Sequence, residues 1–322
     1  MSAFRRPLSA IHPFVWSFLL LLGIYLLGMV FIDGFGGLRT VQAMLLLGTF
    51  LGIASAGQTV VILAQGIDLS VPFVIGAANV VVAQLYGGGM PFWLAAFIAL
   101  TGAGVLGVVQ AAVSSWFSVH PLLITFGFGT ALLGVVQFWT GGLPSGDVPD
   151  WLSSFVSIGS QLGPIPVSPV VAVWVVLAIA IVFVLKRTGL GWRIYAFGSN
   201  PRSAELALVK PLRVWAYAFG FSGVLSALAG ILLLGFTGSA FAQVGDPYLF
   251  LAIAAVVVGG TAITGGRGGY IGTVIGALVL TVLDLVFVGF GLSGAMKQVL
   301  LGVILLVLVS VYGREGHVST RV

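Results

Sequence analysis

The sequence predicts an all-α membrane protein of about ten transmembrane helices with both termini in the cytoplasm. Three observations carry this. Hydrophobic residues make up 59% of the 322 residues and charged residues only 7%, against about 25% in an ordinary soluble domain. Apolar runs recur at membrane-spanning length. Lysine and arginine gather in alternate loops. So few charges cannot cover the surface of a water-soluble fold of this size, so the solvent for most of it is lipid. Forty-seven glycines suit closely packed membrane helices. Without cysteine there is no disulfide, thiolate metal site or cysteine nucleophile. The net charge of +5 is not accompanied by a basic stripe with interleaved aromatics, so no nucleic-acid partner is expected.

Behind Arg5 and Arg6, the run from Phe14 to Ile32 is roughly 29 Å long as a helix, matching a bilayer core of about 30 Å. It is longer than a signal-peptide core and shows no small-x-small cleavage site, so it reads as an uncleaved first span. The remaining runs are 41–64, 71–86, 92–117, 121–140, 168–185, 214–236, 247–264, 271–290 and 298–312. Several nearly fuse, so the runs allow eight to eleven spans. With ten spans and both termini inside, Arg5, Arg6, Lys186, Arg187, Arg193, Arg202, Lys210, Arg213, Arg267, Arg314 and Arg321 are cytoplasmic. Arg39 and Lys297 are the exceptions. Reversing the orientation inverts that bias. The external loop 141–167 carries Asp147 and Asp150 and no basic residue. The whole chain, 1–322, reads as one transmembrane domain.

Lys186–Arg213 is the longest polar stretch expected inside, and 187–211 is the cytoplasmic segment within it. Asn200 is placed to cap a short helix and Pro201 to open it, with continuation to about Val209 before Pro211. Arg202, Leu206 and Val209 then share a face, combining basic and apolar side chains. The residues alone leave two readings open: a solvated positive-inside loop, or a docking surface.

Gly191, Arg193, Asn200-Pro201 and Glu205 resemble the cytoplasmic coupling segment of the ribose-type permeases of ABC transporters. These share a broad class with the branched-chain amino-acid permeases. Gly66-Ile67-Asp68-Leu69-Ser70 is similar to that family's GIDLS motif. Its long C-terminal signature resembles Ala252 through Thr261, with Gly265-Gly266-Arg267-Gly268 and Gly272 through Ala277. Ser222-Gly223, Ala229-Gly230-Ile231 and Thr125 to Thr130 extend the likeness over nearly the whole chain.

The resemblance implies a permease subunit of the bacterial inner membrane that moves a monosaccharide. Its expected partners are a second permease subunit, a cytoplasmic ABC ATPase and a periplasmic sugar-binding protein, within the lipid bilayer. Gly191, Arg193, Asn200, Pro201, Arg202, Glu205 and Leu206 would couple the ATPase to the spans. ATP would bind the partner, since no G-x-x-x-x-G-K-[ST] occurs here; no cofactor is expected on this chain. Leu249, Phe250 and Leu251 stand where relatives carry acidic residues, Leu208 replaces a glycine, and Pro72 replaces a small residue. These departures suit one half of a heterodimer, with a homodimer the alternative.

Among intramembrane polar groups, Asp68 either caps the helix that follows it or contacts substrate, with Ser70 beside it in the same motif. Gln58, Asn79, Thr125 and Thr261 are candidate sugar-facing groups or interhelical hydrogen-bonding groups. Phe73 and Phe126 either stack on a sugar or pack in the core. Asp284 is expected to pair or to face water, and His120 to sit in a loop. Gly265–Gly269 follows a helix and lacks a P-loop lysine, so a tight turn is expected. No histidine pair or carboxylate cluster has metal-ligand spacing, and no nucleophile sits beside a base, so neither a metal site nor catalysis is expected. The alternatives are a proton- or sodium-coupled secondary transporter, for which Asp68 and Asp284 are the available carboxylates, and an ABC permease for another small solute such as an amino acid.

Overall fold

The structure, a computed structural model, describes residues 13–312, with side chains from 15 to 304. Its thirteen helices are α1 (Pro13–Phe31), α2 (Leu38–Leu63), α3 (Val71–Gly87), α4 (Phe92–Phe117), α5 (Pro121–Thr140), α6 (Asp150–Phe155), α7 (Pro169–Arg187), α8 (Gly189–Ser199), α9 (Pro201–Leu206), α10 (Pro211–Thr237), α11 (Tyr248–Val258), α12 (Tyr270–Gly289) and α13 (Gly294–Tyr312).

The all-α architecture agrees with the sequence reading, but ten full spans do not. Among the described residues six helices are long and apolar enough to cross a membrane: α2, α4, α5, α7, α10 and α12. Apolar run length overstates helix length wherever the backbone leaves the helix inside a run. α11 was expected to reach residue 264 but stops at Val258, where Gly259 packs directly on the backbone of Gly272 and Gly260 turns with φ +83°. Its 11 residues span only about 16 Å. α3 agrees with the expected run 71–86, but its 17 residues leave it among the shorter apolar helices. The expected cytoplasmic placement of the termini rests on Arg5, Arg6, Arg314 and Arg321, which lie outside the described residues. Lys186, Arg187, Arg193, Arg202, Lys210, Arg213 and Arg267 do gather at one end of the bundle, where α7 ends, α10 begins and the loop before α12 meets α8. We call this the basic end.

Two further corrections concern loops. The stretch before Asn200 contains a full helix, α8, and residues 150–155 of the expected external loop form α6. Asn200 Oδ1 accepts the Ser203 N–H at 3.0 Å and Pro201 opens α9. α9 ends at Leu206 rather than near Val209, because Leu208 takes φ +62° and Val209 N–H turns back to the carbonyl of Ala204.

α10 is the axis of the fold, packed by α2, α3 and α4. α2 and α10 are apolar all round and almost wholly buried by protein, whereas α4, α5 and α7 leave most of their surface outward. Small residues let α10 come close. A Cβ on Gly57 of α2 would stand 2.6 Å from Ser222 Cα, while Gly107 of α4 and Gly230 of α10 each lie directly against a neighbouring helix backbone. Across the bundle, Trp174 Nε1 of α7 donates to Tyr270 Oη (2.9 Å), which donates to the Gly52 carbonyl of α2 (2.8 Å).

Gly57→Ala places a methyl against backbone that cannot swing aside. It should destabilise the protein by roughly 1–3 kcal/mol. Gly127→Ala, where no heavy atom lies within 4 Å of the new Cβ, should be neutral or slightly stabilising. Paired thermal unfolding curves in detergent check the contrast.

Candidate functional site: a broken helix joined to the basic end

α2 closes with a Schellman turn: Gln65 N–H bonds the Ile62 carbonyl and Gly66 N–H bonds that of Val61, both at 2.9 Å. Gln65 takes the left-handed position there (φ +59°), where a non-glycine residue costs roughly 1–2 kcal/mol. Its side chain offsets this, since Nε2 donates to the Gly198 carbonyl of α8 at 2.9 Å. Leu63 and Ala64 carbonyls, left free by the helix end, accept from Gly266 N and Trp215 Nε1, both at 3.1 Å. Every one of these partners belongs to the basic end.

The chain then climbs back into the bundle without helical hydrogen bonds. Ala64 lies beside Trp215 of α10 while Asp68 meets Ser222, seven positions and about 10 Å further along that helix. Exposed amides at such depth must be satisfied by protein. Thr125 Oγ1 of α5 accepts the Leu69 N–H at 3.0 Å. Asp68 Oδ1 accepts from Ser70 N (2.9 Å) and Ser70 Oγ (2.6 Å), and Oδ2 accepts from Ser222 Oγ at 2.6 Å. Gln110 Oε1 of α4 lies 3.4 Å from Ser70 Oγ. One carboxylate therefore holds the break to itself and to α10.

The structure brings Asp68, Ser70 and Thr125 together, all buried and all bonded to protein. Phe73 and Phe126 meet edge to face nearby, with centroids 6.1 Å apart, and Gly129 packs on the Phe73 ring. Asn79 is separate. It accepts the Phe241 N–H at 2.9 Å and reaches the Gly230 carbonyl, tying α3 to the 238–247 loop and α10. Thr261 is separate too, accepting Gly269 N–H in the turn at the basic end. Gln58 is fully buried, and neither amide atom has a protein partner. Gln110 Nε2 and Ser226 Oγ are likewise unpaired. Asp284 pairs with Lys297 at 2.9 Å.

At the basic end, Gly191 packs on the Leu185 carbonyl, seating α8 on the end of α7. Arg193, Arg202, Glu205 and Leu206 are exposed, with Leu206 at 87% and Leu208 at 88%. Tyr195 Oη donates to the Gly268 carbonyl at 2.9 Å, and burial raises its pKa, so this link stays protonated through neutral pH. A cavity of about 300 Å³ lies between Gln65, Gly198, Ser199, Thr264, Gly265 and Arg267. The sequence does not single out Gln110, Tyr195, Trp215 or Ser226, and it marks Gln65 only as the first residue of the stretch Gln65–Ser70 that interrupts an apolar run. Glutamine directly after an apolar run and before a glycine was the available signal for Gln65.

The site is thus an internal helix break in a membrane bundle, hydrogen-bonded to an exposed apolar and basic segment at the basic end. Residues 40–309 match the family described as the permease component of branched-chain amino acid transport systems, and the chain belongs to that family. Relatives include a probable ABC transporter permease, YphD, of Escherichia coli, 34% identical over 89% of this chain and 85% of its own. The ribose import permease RbsC of Bacillus subtilis is 31% identical over 95% of this chain and 93% of its own. The autoinducer 2 import permease LsrD of Klebsiella pneumoniae is 30% identical over 80% and 79%. No solved structure matches. The protein is thus a membrane-embedded transport subunit of an ABC system and not an enzyme, and its class implies an ATPase and a substrate-binding protein as partners.

Asp68→Leu strands two buried hydroxyls and the Ser70 amide, each unsatisfied group costing about 1–3 kcal/mol. It should lower stability by at least about 2 kcal/mol, while Asp68→Asn, which keeps an acceptor, should lose less. Unfolding in detergent that leaves Asp68→Leu as stable as wild type would remove the carboxylate from the architecture.

Proposed function

We propose that this chain is one membrane subunit of a bacterial inner-membrane importer for a monosaccharide. A periplasmic binding protein delivers the sugar and a cytoplasmic ATPase, which alone binds ATP, drives the cycle. The observation that carries the mechanism is the hydrogen-bonded path from the exposed α8–α9 segment to the broken helix. It runs from Gly198 of α8, the helix that carries α9, to Gln65, and from there five positions of chain reach Ser70. In this reading 187–211 faces the cytoplasm and Leu206, Leu208, Arg202 and Glu205 dock on the ATPase. Closure of the ATPase moves α8–α9, and the break, which has no helical hydrogen bonds of its own, moves with it.

The chemistry of the buried groups favours a neutral, hydroxyl-rich solute. Gln58 on α2, Gln110 on α4 and Ser226 on α10 are buried polar side chains with unpaired atoms, and all three are uncharged. Amides and hydroxyls match sugar hydroxyls as donors and acceptors. An amino acid would require buried partners for an ammonium and a carboxylate, and the buried Asp68 is already occupied by Ser70 and Ser222. The names of the ribose import relatives point the same way. Belonging to an ABC family also places the driving energy on a partner, so Asp68 and Asp284 need not carry coupling protons. The second permease subunit completes the pathway, and the replaced positions Leu249 to Leu251 suit a non-identical partner.

Arg202→Glu and Glu205→Lys should leave expression and folding intact and weaken ATPase stimulation in the reconstituted transporter, because charge reversal at a rim mainly harms docking. Leu206→Asp should be more severe. Full coupled activity in all three would exclude 201–206 as the contact. Gln65→Gly relieves the left-handed backbone and deletes the bond to Gly198. ATPase docking should persist while sugar uptake per ATP falls. Gln58→Leu should fold normally and lose uptake, and wild-type uptake by that variant would take Gln58 out of the pathway.

A further inference from the structure

Lys186 and Arg187 end α7, and neither has an acidic partner among the described residues. Below them runs a groove of about 550 Å³ between α7 and α12, lined otherwise by aliphatic and aromatic side chains, Ile179, Val182, Phe183, Ile271 and Val274 among them. α7 ends where α12 begins, so the two cations sit beside Ile271 at the mouth, and the apolar lining lies successively deeper. From Arg187 back to Ala178 the groove floor is roughly 14 Å long, about the upper half of one acyl chain. Ile179 and Phe183 remain largely exposed within a lipid-facing helix, so water is not the natural occupant.

We propose that this groove binds one anionic glycerophospholipid, its phosphate and acidic head group on Lys186 and Arg187 and one acyl chain along Ile179, Phe183 and Ile275. The charge pattern selects the head group and the apolar floor selects a lipid over a free anion. Two cations at an anionic head group are worth roughly tenfold or more in retention over a zwitterionic one. Because α8 starts two residues after Arg187, the bound lipid would brace the base of the segment that carries α9. The site itself stands whether or not the transport reading holds.

Native mass spectrometry of the purified protein tests this, after exchange in an equimolar mixture of phosphatidylglycerol and phosphatidylcholine with identical acyl chains. Wild type should retain phosphatidylglycerol about tenfold over phosphatidylcholine. Lys186→Gln with Arg187→Gln should bring that ratio close to one. Ile275→Trp should fill the groove and reduce retention of both lipids. Circular dichroism and gel filtration confirm that each variant is folded. Millimolar inorganic phosphate should leave the ratio unchanged. The proposal is overturned if wild type shows no preference, as when a second subunit covers the groove, if the preference survives the double substitution, or if phosphate alone displaces the lipid.

Discussion

Two constraints meet at Ser222. Its Cα faces Gly57 of α2 at a distance that leaves no room for a side chain there, and its hydroxyl bonds the Asp68 carboxylate that secures the helix break. The first draws α2 and α10 backbone to backbone. The second anchors the non-helical run from Gln65 to Ser70 between them and α3. Remove either and the other loses its geometry, because the carboxylate reaches α10 only while the helices are in contact. Small residues at such a contact are what membrane helices use in place of a hydrophobic driving force.

From that point the polar accounting extends toward the basic end. The Leu63 and Ala64 carbonyls released at the end of α2, and the Leu69 and Ser70 amides of the break, find specific partners in Gly266, Trp215, Thr125 and Asp68. A helix end buried at membrane depth would otherwise leave several unpaired groups. The solution places the partners on separate elements, α5, α8, α10 and the turn before α12, so the break becomes the place where those elements are joined. A displacement of α8 is therefore felt first at Gln65. In the proposed coupling, the bonds that stabilise the break are also those that transmit the motion.

The unpaired amides of Gln58 and Gln110 stand apart from this economy. In a structure where Asp68, Asn79 and Thr261 are all satisfied by protein, these two glutamines, with Ser55 and Ser226, are the buried side chains among the described residues that keep unpaired atoms. The six polar candidates read from the sequence thus divide. Asp68, Ser70, Thr125, Asn79 and Thr261 bond to protein, and Gln58 does not.

Much of this protein was legible without coordinates. Composition determined that lipid is its solvent, the apolar runs located the centres of the long helices, Asn200-Pro201 placed the start of α9, and the motif residues around Asp68 and Ala252–Thr261 marked the family. These features are local, or depend only on what each stretch can dissolve in. The tertiary structure alone decided where a helix stops short of its apolar run: Val258 ends α11, where Gly259 lies on Gly272, although the run continues to residue 264. It also decided which polar groups are free. Asp68 and Gln58 are both costly inside an apolar run, and only the neighbours that folding brings to each, three donors for one and none for the other, separate a structural tie from an open hydrogen-bonding group.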